Sequence, residues 1–183
     1  MSSGMSLTTS ISNMVLDRWN ALDCESAVPE ILPCCGSRRW ARLLAGERPF
    51  ANPGQLFAAS DRVWASLADR DWKQAFDSHP RIGQRSAPTA TAESLAWSLQ
   101  EQSTAMSRQD AAALALVDAN RNYESRFGRI FIVCAAGRSA REILSILNAR
   151  LNNTPSVEWR ETGEQQRQIT QLRLRKWLGV KDE

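Results

Sequence analysis

At 183 residues the chain is long enough to bury one sizeable hydrophobic core and short for two comfortable domains. Hydrophobic residues make up 43% and charged residues 23%, ordinary globular usage that excludes a disordered chain and a membrane protein. The 23 Lys and Arg against 20 Asp and Glu leave a formal net charge of only +3 with no basic block, so no nucleic-acid partner is expected.

At the N-terminus no basic region precedes an apolar run, and no stretch approaches the roughly 18 apolar residues that a membrane helix needs. Neither signal peptide nor membrane span is expected, and the expected compartment is the cytoplasm. Residues 1–13 are expected to form a flexible leader and residues 14–183 a single helical domain. Short apolar-bearing segments at residues 14–22, 26–32 and 37–45 predict small helices broken by Pro33 and Gly36. The four cysteines, Cys24, Cys34, Cys35 and Cys134, show no CxxC spacing and sit beside apolar sequence, so a disulfide scaffold is not expected.

From Asn52 the positions Leu56, Val63, Trp64 and Leu67 recur at helical spacing, with Pro53 in the first turn where its missing N–H does no harm. Ser107 and Asp110 give a Ser-x-x-Asp start, followed by Ala113, Leu116, Asn120, Tyr123 and Phe127 on one face, and Gly128 is placed to stop that helix. Ile130 to Cys134 is a short apolar run that periodicity cannot assign to helix or strand. Ser139 with Glu142 predicts a capping box, with Ile143, Leu144, Leu147 and Leu151 as the buried stripe and Asn152-Asn153-Thr154-Pro155 as the close. A last helix is predicted from about Ser156 to Trp177 through Gln165, Ile169, Leu172 and Trp177, with charges on its other faces. Since no Val/Ile/Thr-rich alternating segment occurs, the fold class is all-α, a single-domain bundle of about eight to nine helices.

His79 is the only histidine, which excludes multi-histidine metal sites and His-pair mechanisms, so no such metal site is expected. Pro80 biases His79 away from helical geometry and Gly83 permits a tight turn, so His79 is expected where a helix ends. There its imidazole has two readings: a capping or core group, which position alone favours, or a cleft-facing proton carrier titrating near neutrality. Ser98, Glu101 and Gln102 stand at i, i+3 and i+4 on one helical face bordered by Leu95 and Leu99. That face is either solvated or a set of hydrogen-bonding groups for a polar heterocycle, and taken alone the first reading is favoured. The backbone of residues 131–135 either pairs within a buried extended segment, the favoured reading, or offers donors to a ligand. Arg173, between Leu172 and Leu174, suggests a partly buried guanidinium whose anion is a protein carboxylate, the commoner outcome, or a substrate carboxylate.

Several ordered stretches resemble the 2-oxo-4-hydroxy-4-carboxy-5-ureidoimidazoline (OHCU) decarboxylase family of urate degradation. They are Cys34-Cys35-Gly36-Ser37 with Trp40, Arg48-Pro49-Phe50, Asp71-Trp72 with Ala75-Phe76, and His79-Pro80-Arg81-Ile82-Gly83. Farther on come Ser98 with Glu101-Gln102, Arg126-Phe127-Gly128, Phe131 to Ala135, Gly137-Arg138-Ser139 and Leu172-Arg173-Leu174. The resemblance spans roughly Leu16 to Leu178. It implies an all-helical, homodimeric, cofactor-free enzyme that converts the small molecule OHCU to (S)-allantoin and carbon dioxide. The catalytic residues it implies are His79 for proton transfer, Glu101 for orienting the substrate and Arg173 for holding its carboxylate or another electron-rich oxygen. The substrate-contact residues it implies are Pro80, Ser98, Leu99, Gln100, Glu101, Gln102, Phe131, Ile132, Val133, Cys134 and Ala135. Two positions depart from the family pattern: Arg129-Ile130 where many members carry Phe-Pro, and Gln84 where an acidic residue is frequent. A non-catalytic helical interaction module and a hydrolase of a related ureido compound are the competing readings.

Overall fold

The computed structural model describes residues 7–81, 87, 90–102 and 111–180, without the side chains of residues 7–13, 111 and 113. Among the described residues there are nine helices and no strand, which bears out the all-α class. They are α1 (Leu7–Ala21), α2 (Cys24–Cys35), α3 (Arg38–Gly46), α4 (Pro53–Ala65), α5 (Asp69–Asp77), α6 (Ala92–Glu101), α7 (Ala111–Phe127), α8 (Ala140–Arg150) and α9 (Pro155–Leu178). The expected Ser107 and Asp110 helix start, Ile82, Gly83 and Gln84 lie outside the described residues, as does the side chain of Ala113. No helix among the described residues is long and apolar enough to cross a membrane.

Local chemistry sets the helix ends. Asn52 caps α4 by accepting from the Gln55 N–H at 3.0 Å, with Pro53 at the first position. Ser139 and Glu142 form the predicted capping box of α8, the Glu142 N–H donating to Ser139 Oγ at 3.3 Å and the Ser139 N–H to Glu142 Oε2 at 2.8 Å. Gly128 (φ 67°) ends α7 in the left-handed region, its N–H donating to Glu124 O at 2.8 Å. Two expectations are corrected here. α2 runs through Pro33 and stops only at Gly36 (φ 86°), because burial of Ala27, Ile31, Cys34 and Cys35 on one face outweighs the lost N–H. α1 begins at Leu7, ahead of the Met14 start marked by the apolar pattern, since Thr8, Thr9 and Ser10 bear no stripe to read.

The helices group into two compact units, one of Met1–Trp72 with Ile169–Glu183 and one of Lys73–Gln168. In the first, α2 packs on α3, α3 on α4 and α1 on α4. Its core holds Leu16, Trp19, Ile31, Trp40, Leu44 and Leu56, none more than 1% exposed. Trp19 donates Nε1–H to Ala27 O at 2.9 Å, stacks on Phe50 at 6.2 Å and meets Trp177 edge-on at 5.6 Å. In the second unit α7 packs on α8 around Leu116, Tyr123, Phe131, Val133, Ile143 and Leu147.

α9 departs from the expected pattern. Leu172 and Trp177 are only half-buried, whereas Glu158, Thr162, Gln165, Gln166, Thr170 and Arg173 are buried. The inward face of this helix is therefore mostly polar, and it includes two charges that the sequence placed outside or between faces. Buried polar groups persist only when hydrogen-bonded, so this face has a network to account for.

Candidate functional site

His79 stands one residue beyond Ser78 at the end of α5, as its preceding position to Pro80 dictates. The last turn closes on it: the Ser78 N–H donates to Ala75 O at 3.2 Å and the His79 N–H to Phe76 O at 3.1 Å. Ser78 adds an Oγ–H bond to Ala75 O at 2.7 Å. His79 is 9% exposed and Pro80 is buried. On the far side of Pro80, Arg81 donates Nε–H to Glu124 Oε1 at 2.6 Å and Nη2–H to Glu124 Oε2 at 2.8 Å, a bidentate pair with the end of α7. Ahead of the turn, Phe76 packs edge-on against Trp159 of α9 at 5.2 Å.

Residues 130–135 are neither helix nor strand, and Phe131, Ile132, Val133, Cys134 and Ala135 are all buried. A segment without regular structure must place its backbone polar groups elsewhere. Arg150 Nη1 donates to Ile132 O at 2.8 Å, Gln165 Oε1 accepts from the Cys134 N–H at 2.9 Å, and Ala135 O accepts from the Arg138 N–H at 3.0 Å. Side chains from α8 and α9 thus hold two of these backbone groups, in line with the paired reading at Cys134. Arg150 also covers the Phe131 ring, with its guanidinium carbon 4.7 Å from the centroid.

The polar face of α9 explains why Arg150 is fixed. Glu158 Oε1 accepts from Arg150 Nη2 at 2.5 Å and Nε at 2.9 Å, and from the Tyr123 hydroxyl; Glu158 Oε2 accepts from Asn153 at 2.8 Å. Burial by itself pushes the Glu158 carboxyl up, but these hydrogen bonds and the Arg150 charge prevail and hold it below its ordinary range. Burial and the bond to Glu158 push the Tyr123 phenol up to about 12, so it stays a donor. Tyr123 in turn packs on Phe131 at 5.1 Å and Phe127 at 4.8 Å.

Two of the sequence-predicted stretches therefore converge on the last turn of α7. Glu124 holds the His79 turn by its side chain, and Tyr123 packs on Phe131 at the start of residues 131–135. Arg129, one of the departures from the family pattern, lies over the rings of Phe127 at 5.5 Å and Trp159 at 5.0 Å. The Ser98 stretch lies in the same unit, on α6. Its helical geometry separates two faces: Ser98 is buried and Glu101 and Gln102 half-buried, while Leu99 and Gln100 are exposed. That split matches the i, i+3, i+4 face expected of Ser98, Glu101 and Gln102.

Arg173 belongs to the other unit and is described within it. It is 2% exposed, as its apolar flanks suggest, and Nη1 donates to Pro33 O at 3.4 Å. Nearby Cys35 is a neutral thiol: burial pushes it up to about 12 even though Ser37, Thr170 and the Arg173 charge pull the other way.

Glu124, Arg150 and Glu158 were not singled out by sequence reasoning. Each is a charged residue whose partner lies 8 to 43 residues away, so no local spacing marks it. Gln165 did carry a signal, as an amide standing in an otherwise apolar stripe.

Comparison with known proteins gives a consistent assignment. The OHCU decarboxylase family model matches residues 20–175. The uric acid degradation bifunctional protein TTL of Arabidopsis thaliana is 36% identical over 149 residues, covering 81% of this chain and 46% of that protein, so the chain spans about half of that relative's length. The 2-oxo-4-hydroxy-4-carboxy-5-ureidoimidazoline decarboxylase of Amia calva is 34% identical over 129 residues, covering 69% of this chain and 73% of its own. A crystal structure of OHCU decarboxylase in the presence of (S)-allantoin superposes with a TM-score of 0.67 at 33% identity, covering 79% of this chain and 94% of that one. A crystal structure of (S)-allantoin synthase shares the fold at 16% identity, with a TM-score of 0.66 over 91% of this chain and 53% of that one. With a family match over most of its length and the Amia calva relative largely covered, this chain belongs to the OHCU decarboxylase family.

Proposed function

We propose that this protein decarboxylates OHCU to (S)-allantoin and carbon dioxide. The observation that carries this reading is the family match over residues 20–175, an interval that contains His79, Glu101 and Arg173. The carbon that loses carbon dioxide neighbours a C=N bond in the substrate. As the bond to the carboxylate breaks, its electron pair flows into that imine, so the substrate supplies its own electron sink. The protein's work is orientation, stabilisation of developing charge and delivery of a proton to one face.

His79 is the proton carrier of this proposal and forms the product's new C–H bond. Glu101, with Ser98 and Gln102 on the same face of α6, hydrogen-bonds the substrate and steers its hydroxyl. Pro80, Leu99 and Gln100 and the segment from Phe131 through Ile132, Val133 and Cys134 to Ala135 line the remaining contacts. Arg173 holds the carboxylate or another electron-rich oxygen. Convergence of the His79 turn and residues 131–135 on the last turn of α7 supports the grouping. The reaction uses no cofactor, and the working form is a homodimer in the cytoplasm.

The test is to generate OHCU freshly from urate and add the purified protein. The expected result is faster carbon dioxide release and optically active allantoin, with the ureido group intact. Racemic allantoin at the uncatalysed rate would contradict the proposal. Sedimentation at micromolar concentration checks the homodimer, and a lone monomer would oppose it.

A further inference from the structure

We infer that Glu124 is a positioning residue for this reaction, setting the imidazole of His79 through the carboxylate's bidentate grip on Arg81. The inference rests on the reading of His79 as the proton carrier.

Few freedoms separate Glu124 from the imidazole. His79 is fixed upstream by the closing bonds of α5, Ser78 N–H to Ala75 O at 3.2 Å and His79 N–H to Phe76 O at 3.1 Å. Downstream comes Pro80, whose ring locks its own φ and restricts the residue before it. Arg81 is the first residue after this stiff pair, and both Glu124 oxygens are engaged by its fork at 2.6 and 2.8 Å. A bidentate pair fixes a plane as well as a distance, which a single ion contact does not.

Glu124 is also well placed to transmit position. Its own carbonyl accepts the Gly128 N–H at 2.8 Å, the bond that ends α7 and launches residues 130–135. Its neighbour Tyr123 faces inward and is anchored on Phe131 and Glu158. One residue therefore references the proton-carrying turn to the same helical turn that carries the other proposed substrate-contact segment. Arg81 is half exposed and the Glu124 side chain 25% exposed, so the pair adds little stability, and its effect falls on geometry.

The experiment uses Glu124→Gln, Glu124→Asp and the exchanged pair Arg81→Glu/Glu124→Arg in the full chain. The first readout is the ring resonance of His79, unambiguous because the chain has a single histidine. Glu124→Asp keeps the charge but shortens the reach; it and Glu124→Gln are expected to shift or broaden the His79 ring signal, and the exchanged pair to restore it. The second readout is turnover, where Glu124→Gln is expected to lower kcat by about 10- to 100-fold with KM within about twofold, the size of loss that misplacement by about 1 Å can cause. The optical purity of allantoin falls with it, and the exchanged pair recovers at least part of both. A wild-type His79 signal in both single variants overturns the inference, as does a loss of kcat in each single variant with no recovery in the exchanged pair. A moved His79 signal in a protein that does not turn over OHCU supports the positioning and refutes the reaction.

Discussion

The two irregular stretches of the proposed site are held in opposite ways. Residues 131–135 are clamped from inside: a buried Arg150 reaches Ile132 O, Glu158 (0% exposed) and Thr162 hold that arginine in turn, and the Tyr123 hydroxyl donates to Glu158. The His79 turn, beyond its own closing bonds to Ala75 O and Phe76 O, is held from outside by the ion pair between a half-exposed Arg81 and Glu124. An interior clamp is expensive to break because it leaves a charge buried without its partner, whereas an outer clasp can be lost with the fold intact. Stability and the placement of the proposed proton carrier are thus expected to rest on different residues, so that mutation separates the two.

The largest expected effect on stability is at the interior clamp. Glu158→Gln, which strips the counter-charge from Arg150, should lower unfolding free energy by about 3–5 kcal/mol, read from urea denaturation. An unchanged urea midpoint would erase the contrast between the two stretches. The same carboxyl contributes to the acid side, as do Asp23, Glu142 and Glu164: its folded value lies below the ordinary range, so its contribution is present above roughly pH 4.5 and is lost as pH falls. The fall in stability below that pH should flatten in Glu158→Gln.

Next in size is the alkaline limb. Folded Cys35 keeps its proton up to about 12, and the unfolded thiol loses it near 9, so stability is full below pH 9 and drops as pH rises towards 12. On the order of 2 kcal/mol should disappear between pH 9 and 10.5 and be recovered in part by Cys35→Ala relative to its own neutral value. A parallel pH profile in the two proteins would locate the effect elsewhere, with Tyr123 as the next group to test. Gln165→Ala removes the acceptor of the Cys134 N–H and should cost about 1–3 kcal/mol, with a matching rise in KM if residues 131–135 contact the substrate. The smallest effect belongs to the outer clasp: Glu124→Gln should change unfolding free energy by less than about 1 kcal/mol. A larger loss there would mean that the His79 turn is part of the structural frame.

Legibility in the sequence follows the range of the interaction. Asn52 with Pro53, Ser139 with Glu142, and Gly128 act within one turn, and each helix end lies where those residues place it. The Ser98, Glu101 and Gln102 face was readable for the same reason, since spacing along a helix decides which side chains share a side. Pro33 misled because its penalty is local and the burial that overcomes it comes from other helices. The polar face of α9 was hidden because Glu158 looks like any surface carboxylate until Arg150, Tyr123 and Asn153 are brought to it. His79 and Arg173 were found by chemistry and resemblance rather than by pattern, and their burial is a fact that only the fold supplies.

The central claim is that the single imidazole gives its proton to one face of the substrate. The most direct measurement is circular dichroism of the allantoin formed from fresh OHCU by the wild-type protein and by His79→Asn, with far-ultraviolet spectra to confirm that both are folded. The wild type is expected to give (S)-allantoin, and His79→Asn a rate about 100- to 10,000-fold lower with racemic product. A folded His79→Asn protein that still makes (S)-allantoin at the wild-type rate would contradict it.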